Sequence, residues 1–196
     1  MFANRFTALI DACVLAGFLR RNLVLTLAEA EFFRVRWSVQ ILDETERAIA
    51  GIFIERSVAD HDERAARARA WMERAFEDAM VDDFGPFLCA CQGLPDPNDA
   101  HVIAAALKTQ AAVIVTDNLR HFPTVVLDPL NLDVRSADDF IADTIALDEG
   151  RAVTAIRRMR ERFARPGKNA AQLLLDMEAV GLTSAVDVLR SHEASL

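Results

Sequence analysis

Five carboxylates in this chain are spaced as a divalent-metal site would need them. Asp11 closes the apolar run FTALID, and Glu44 stands about one turn into SVQILDETERA. Asp96 and Asp99 share the turn LPDPND, and Asp117 follows the run AAVIV within Thr116-Asp117-Asn118. Carboxylates brought together repel and raise one another's pKa, so a protein keeps such a cluster when a cation neutralises it. Hard oxygen donors suit Mg²⁺ or Mn²⁺. The chemistry that follows is metal-assisted phosphodiester hydrolysis, in which the ion activates water and stabilises developing charge. The sequence contains neither GxxxxGK[ST] nor GxGxxG, so nucleotide-driven transfer is the weaker reading. Each acid also has a plain structural reading. An aspartate at a strand end often only caps the next helix, and Asp99 could be no more than an N-cap. Asp82, Asp83, Asp138 and Asp139 read as caps or surface acids.

Positioning these acids is the task of the elements around them. FTALID reads as a strand, and residues 12–34 as helix with a break at Arg20-Arg21-Asn22. VRWS is a short strand, with Ser38 as N-cap of the helix that carries Glu44. Asp43 and Glu46 should point elsewhere on that helix. An Arg/Ala/Glu-rich helix covers about 58–78, and MVDDF is a further short strand. A helix over about 99–110 leads to a strand at 112–116. LRHFP is a turn, and VVLDPLNLDVRS holds a last strand. Alternating strands and helices predict a parallel sheet in an α/β layer structure. Beyond Ser136 the pattern is helical to Leu196, broken at Pro166-Gly167 and interrupted at Gly181. The expected division is a domain over 1–136 and a small α-helical module over 137–196.

The 196 residues are 52% hydrophobic and 27% charged, enough for a substantial core. No apolar run is long enough for a membrane span. The opening MFANRFTALIDACVLAGFL is interrupted by Asp11 and lacks a clear cleavage site, so it reads as strand and helix rather than as a signal peptide. Cys13, Cys89 and Cys91 form no disulfide framework, which suits a reducing cytoplasm. The net charge of −8 is a poor footprint for nucleic-acid binding. Its distribution is uneven. Segment 151–168 holds Arg151, Arg157, Arg158, Arg160, Arg162, Arg165 and Lys168 against Glu161 alone, a local +6 that leaves −14 on the remainder. Arg157, Arg158 and Arg160 are the candidate RNA contacts, on a helix face that could equally be only solvated.

Four segments together resemble the PIN-domain ribonucleases of the VapC-like toxin group: LIDACVL, RWSVQILDETERA, LPDPNDAHVIAAAL and AAVIVTDNLRHFP. The resemblance spans roughly residues 5–135. It implies an α/β/α sandwich with a parallel sheet and Mg²⁺- or Mn²⁺-dependent endoribonuclease activity. A cognate antitoxin and a homodimer commonly accompany it. On this resemblance Asp11, Glu44 and Asp99 carry over as metal-binding catalytic acids, with Asp96 a neighbouring metal or water ligand. Two departures stand out. Ala12 and Cys13 follow Asp11, where a hydroxyl or amide residue is usual. His121 precedes the Phe where an acid is frequent. Asp117 is then the candidate fourth carboxylate, supported by Thr116 and Asn118, and His121 is either a phosphate contact or a structural residue. The helical tail resembles the C-terminal extension of one PIN subgroup. Two rival readings stand beside the nuclease: a catalytically weak PIN-like module that binds RNA or protein, and a hydrolase of small phosphoesters.

Overall fold

A computed structural model describes residues 6–163 and 167–196. Arg165 and Pro166, which figure in the basic segment and in the expected helix break, lie outside the described residues. In chain order the elements are β1 (Thr7–Ile10), α1 (Ala12–Ala16), α2 (Phe18–Glu29), β2 (Arg34–Ser38), α3 (Val39–Glu55), α4 (His61–Ala75) and β3 (Met80–Val81). They continue with α5 (Ala100–Lys108), β4 (Val113–Val115), α6 (Thr124–Leu127), β5 (Asp133–Arg135), α7 (Ala137–Leu147), α8 (Glu149–Arg162), α9 (Ala170–Ala179) and α10 (Thr183–Arg190). The chain divides into two units.

The first unit comprises residues up to Gly17 and Arg34–Arg135. Its sheet is wholly parallel, in the order β3-β2-β1-β4-β5. Central β1 sets Leu9 opposite Arg36 on one side and Ile114 on the other. Ala8, Leu9, Ile10 and Ile114 are fully buried, as expected of short apolar runs inside a parallel sheet. From β1 the chain steps outward to β2 and β3, then returns to the other side of β1 for β4 and β5. The order therefore reverses between β1 and β4. Such a switch point, at the carboxyl ends of the strands, is where open α/β sheets bind ligands. The α3 helix begins as its sequence predicts, with Ser38 Oγ accepting from Ile41 N at 3.3 Å. Its inner face packs Ile49 against Ala16 of α1 and Ala65 of α4. The α5 helix buries Val102, Ile103 and the small run Ala104–Ala106.

The second unit comprises residues 18–33 and 136–196. It is a helical assembly in which Phe33 meets Phe140 edge-on at 4.9 Å and Phe18 tilts against Phe163 at 5.6 Å. The α10 helix is capped from another helix. Asp138 of α7 accepts from Ser184 N at 2.8 Å and Ala185 N at 2.9 Å, and from the Thr183 hydroxyl at 3.3 Å. Gly181, at φ +82°, makes the turn that separates α9 from α10, a conformation costly for other residues. Asp138→Ala strands these donors, and a loss of about 1–2 kcal/mol is expected. Urea unfolding of the full chain measures it, and a change below about 0.3 kcal/mol would mean the cap is replaced by solvent.

One local expectation is corrected. The N-terminal helix breaks at Gly17, not at Arg20-Asn22, because arginine is a good helix former while glycine releases the backbone. The last strand expected within VVLDPLNLDVRS is Asp133–Arg135, preceded by the helical turn Thr124–Leu127 and a further turn that starts at Asp128-Pro129. Among the described residues no helix is long and apolar enough to cross a membrane.

Candidate metal centre

Asp11 stands at the carboxyl end of β1 and is buried despite its charge. Its backbone N–H continues the sheet to Val115 O at 3.0 Å. Its carboxylate does cap α1, with Oδ1 accepting from Ala12 N at 2.7 Å. The other oxygen faces the next strand. Thr116 donates its hydroxyl to Oδ2 at 2.6 Å, and Cys13 donates its thiol to the same atom at 3.3 Å. Thr116 follows β4, so this pair of bonds closes the switch point. Cys13 Sγ also lies 3.3 Å from Thr116 Oγ1 and accepts from Asp117 N at 3.3 Å, while Asn118 N donates to Thr116 Oγ1 at 3.1 Å. The residues after β4 are thereby tied to the residues after β1.

Burial, and then the charge of Asp11, push the Cys13 thiol up to about 12. It stays protonated at neutral pH, as a donor to Asp11 must. At pH 8 its thiolate fraction is roughly one in ten thousand. Cys13 is half-buried, Cys91 is buried and Cys89 is exposed. Iodoacetamide at pH 8 should therefore label Cys89 alone in the folded protein, and all three thiols after denaturation. Peptide mass spectrometry reads this, and early modification of Cys13 would contradict the hydrogen-bonded arrangement.

Asp96 and Asp99 are set by the proline turn. Asp96 accepts from Asn98 N at 2.9 Å, which holds the single 3-10 turn Pro97–Asp99 ahead of α5. Asp99 occupies the N-cap position of α5, but its side chain makes no capping bond. Its Oδ2 instead lies 2.8 Å from His121 Nδ1. The plain reading of Asp99 as a cap thus fails. Burial raises the Asp99 pKa first; His121 opposes this, and the charges of Asp11 and Asp96 add to it. Ligand atoms of Asp96, Asp99 and His121 all lie within 4.8 Å of one another. Two carboxylates and an imidazole at that separation fit the first coordination sphere of one divalent ion.

Glu44 projects from α3 toward α5, where its Oε1 lies 3.2 Å from His101 Nε2. Asp43 and Glu46 pair with Arg69 of α4 at 2.6 and 3.1 Å. Glu44 and His101 line a groove of about 660 Å³ with Gln40, Asp43, Arg47 and Asn98. Asn98 belongs to the Asp96–Asp99 turn, so the groove runs up to that turn. Asp117 is exposed just past β4. Glu44, Asp11 and Asp117 lie outside the 4.8 Å group, while Asp11 acts electrostatically on Asp99. The sequence reading passed over His101 and Cys13 as functional residues and left His121 open. Cys13 had a local signal, its place just after Asp11 where a hydroxyl or amide residue is usual, whereas the partners of His101 and His121 sit on other elements.

The basic helix α8 differs from expectation at one residue. Arg157 and Arg158 are exposed, with Arg157 donating to Glu161 at 3.0 Å. Arg160 is not on a solvated face. Its side chain is 18% exposed, and it donates to Lys168 O at 2.7 Å. It sits one helical turn from Ile156, on the packed side of α8.

Comparison with known proteins bears on the family of the chain. Residues 7–120 match the PIN domain, and residues 137–191 match the VapC50 C-terminal domain. A Mycobacterium tuberculosis protein described as "Putative ribonuclease VapC50" is 40% identical over 68 residues, 35% of this chain and 40% of the relative. The chain thus matches less than half of that relative's length. No solved structure matches the chain. The five-stranded parallel sheet, the acids at its carboxyl edge and a match over more than half of the sequence lead to one conclusion: the chain belongs to the PIN-domain family.

Proposed function

We propose that the chain is a metal-dependent endoribonuclease, the toxin of a toxin–antitoxin pair. The observation that carries this reading is Asp99, released from capping and held beside Asp96 and His121 at the sheet's switch point. The similarity to a protein described as a ribonuclease supports RNA as the substrate class. Asp11, Glu44, Asp96, Asp99 and Asp117 are the acids that would hold Mg²⁺ or Mn²⁺. When bound, the ion supplies an activated water and charge neutralisation at the phosphate. The chain's own residues do the positioning. Thr116, Cys13 and Ala12 N fix the Asp11 carboxylate, His121 stands against Asp99, and His101 fixes Glu44. Because Cys13 is a donor and Asp117 N binds its sulfur, Cys13 takes over the orienting work of a hydroxyl residue. A cytoplasmic location, a cognate antitoxin and a homodimer belong to the same reading. So does the division along the sequence into a nuclease domain over 1–136 and a helical module over 137–196, although residues 18–33 group with the module in packing.

Purified protein with a defined single-stranded RNA tests this reading. Cleavage should require Mg²⁺ or Mn²⁺ and stop with chelator. Sequencing of RNA 5′ ends after induced expression then gives the cut site. Hydrolysis of a small phosphoester with no RNA cleavage would instead favour the phosphatase-like reading.

Arg157 and Arg158 are proposed to meet the RNA backbone. The double variant Arg157→Ser/Arg158→Ser should weaken RNA affinity and flatten its salt dependence by roughly 0.7–0.9 per lost phosphate contact. Arg160 is better left in place, since its replacement removes a bond of the fold. Unchanged affinity across a salt series would remove α8 from the RNA interface, and simultaneous loss of the antitoxin would assign this face to the partner.

A further inference from the structure

The geometry points to His121 as a metal ligand, whose nitrogen makes the centre with Asp96 and Asp99 a binder of Mn²⁺ in preference to Mg²⁺. This rests on the reading of the carboxyl edge as a divalent-metal site, and adds which ion it takes. His121 follows β4 through the 3-10 turn Leu119–His121, and its ring meets Asp99 of the Asp96–Asp99 turn. Its Nδ1 already stands 2.8 Å from Asp99 Oδ2, and the three ligand atoms share one 4.8 Å neighbourhood. Asp99 and His121 side chains keep 24% and 26% of their exposure, so an ion and its waters can enter.

The donor set decides the preference. Mg²⁺ is hard, holds its waters, and is served by carboxylates and phosphates. An imidazole nitrogen adds more affinity for the first-row transition ions than for Mg²⁺, and Mn²⁺, the weakest binder of that series, also accepts the carboxylate oxygens that make up the rest of the site. His101 is the other imidazole near these acids, but it pairs with Glu44 and stands outside the group of Asp96, Asp99 and His121 whose ligand atoms share one 4.8 Å neighbourhood. It is the control for the experiment.

The test uses the full chain with Mn²⁺ or Mg²⁺ and no RNA. Electron spin-echo modulation of bound Mn²⁺ should show ¹⁴N coupling in the parent and in His101→Ala, and lose it in His121→Ala. In competition titrations the parent should favour Mn²⁺, and His121→Asp should lower the Mn²⁺:Mg²⁺ affinity ratio by roughly tenfold or more. Circular dichroism checks that the variants fold, and the parent signal decides even where one does not. Absence of ¹⁴N coupling in the parent, its survival in His121→Ala, or an unchanged ratio in His121→Asp overturns the assignment. RNA cleavage without nitrogen coupling leaves the nuclease reading intact and removes this one. Nitrogen coupling without cleavage does the reverse.

Discussion

Asp11→Asn is expected to reduce metal-dependent RNA cleavage by roughly a hundredfold to ten-thousandfold while the protein stays folded. Asparagine keeps the size of the side chain and one oxygen for Ala12 N, so the α1 cap persists. The Thr116 hydroxyl can rotate to accept from the new amide, where it now donates to Oδ2 at 2.6 Å. What disappears is the charge at the switch point. Asp11 is also one of the groups that raise the Asp99 pKa, so its neutralisation lets Asp99 ionise more readily. The variant thus loses one carboxylate of the proposed metal site without loss of the others. Cleavage of a defined RNA by parent and variant, each checked by circular dichroism, gives the measurement. Activity within about threefold of the parent would place the chemistry elsewhere. Parent and variant that bind RNA equally and cut nothing would make the chain a binding module.

The acids were legible in the sequence to the extent that their surroundings are local. Asp11 and Asp117 stand at the ends of short apolar runs that could only be buried strands, and Ser38 announces the helix under Glu44. The division of labour along α3 followed from helical spacing: Glu44 faces α5, while Asp43 and Glu46 face Arg69. What escaped was every partner from a distant element. Thr116 reaches Asp11 across 105 residues, and His121 reaches Asp99 across 22. Neither contact leaves a periodic trace. Arg160 shows the same limit from the other side. Charge alone put it in water, while its place one turn from Ile156 puts it against Lys168 O. The membership of residues 18–33 in the helical unit also depends on long-range packing, for example Phe33 on Phe140.

Trp37→Ala is expected to cost about 3–5 kcal/mol, the largest stability loss from a single substitution argued for this chain. Trp37 is fully buried on β2, stands opposite Met80 of β3, and meets Phe76 edge-on at 5.9 Å. It directly precedes Ser38, whose hydroxyl starts α3 and so sets the direction of Glu44. Small domains have only about 5–15 kcal/mol in total, so the variant should sit near the edge of folding. Trp37→Phe should cost much less. It leaves a smaller cavity, and the indole Nε1 has no hydrogen-bond partner among the described residues, so no bond is lost with it. Urea unfolding followed by far-ultraviolet circular dichroism measures both. Fluorescence would mix in Trp71, which is exposed. With a urea slope of about 1–3 kcal/mol per molar, the alanine variant should shift the midpoint by more than about 1 M. Its RNA cleavage should fall in step with the unfolded fraction and recover on cooling toward the stability maximum. A loss below about 1 kcal/mol would mean that β2 is not locked by this ring. The orientation of Glu44 would then rest on the Ser38 cap and on His101 alone.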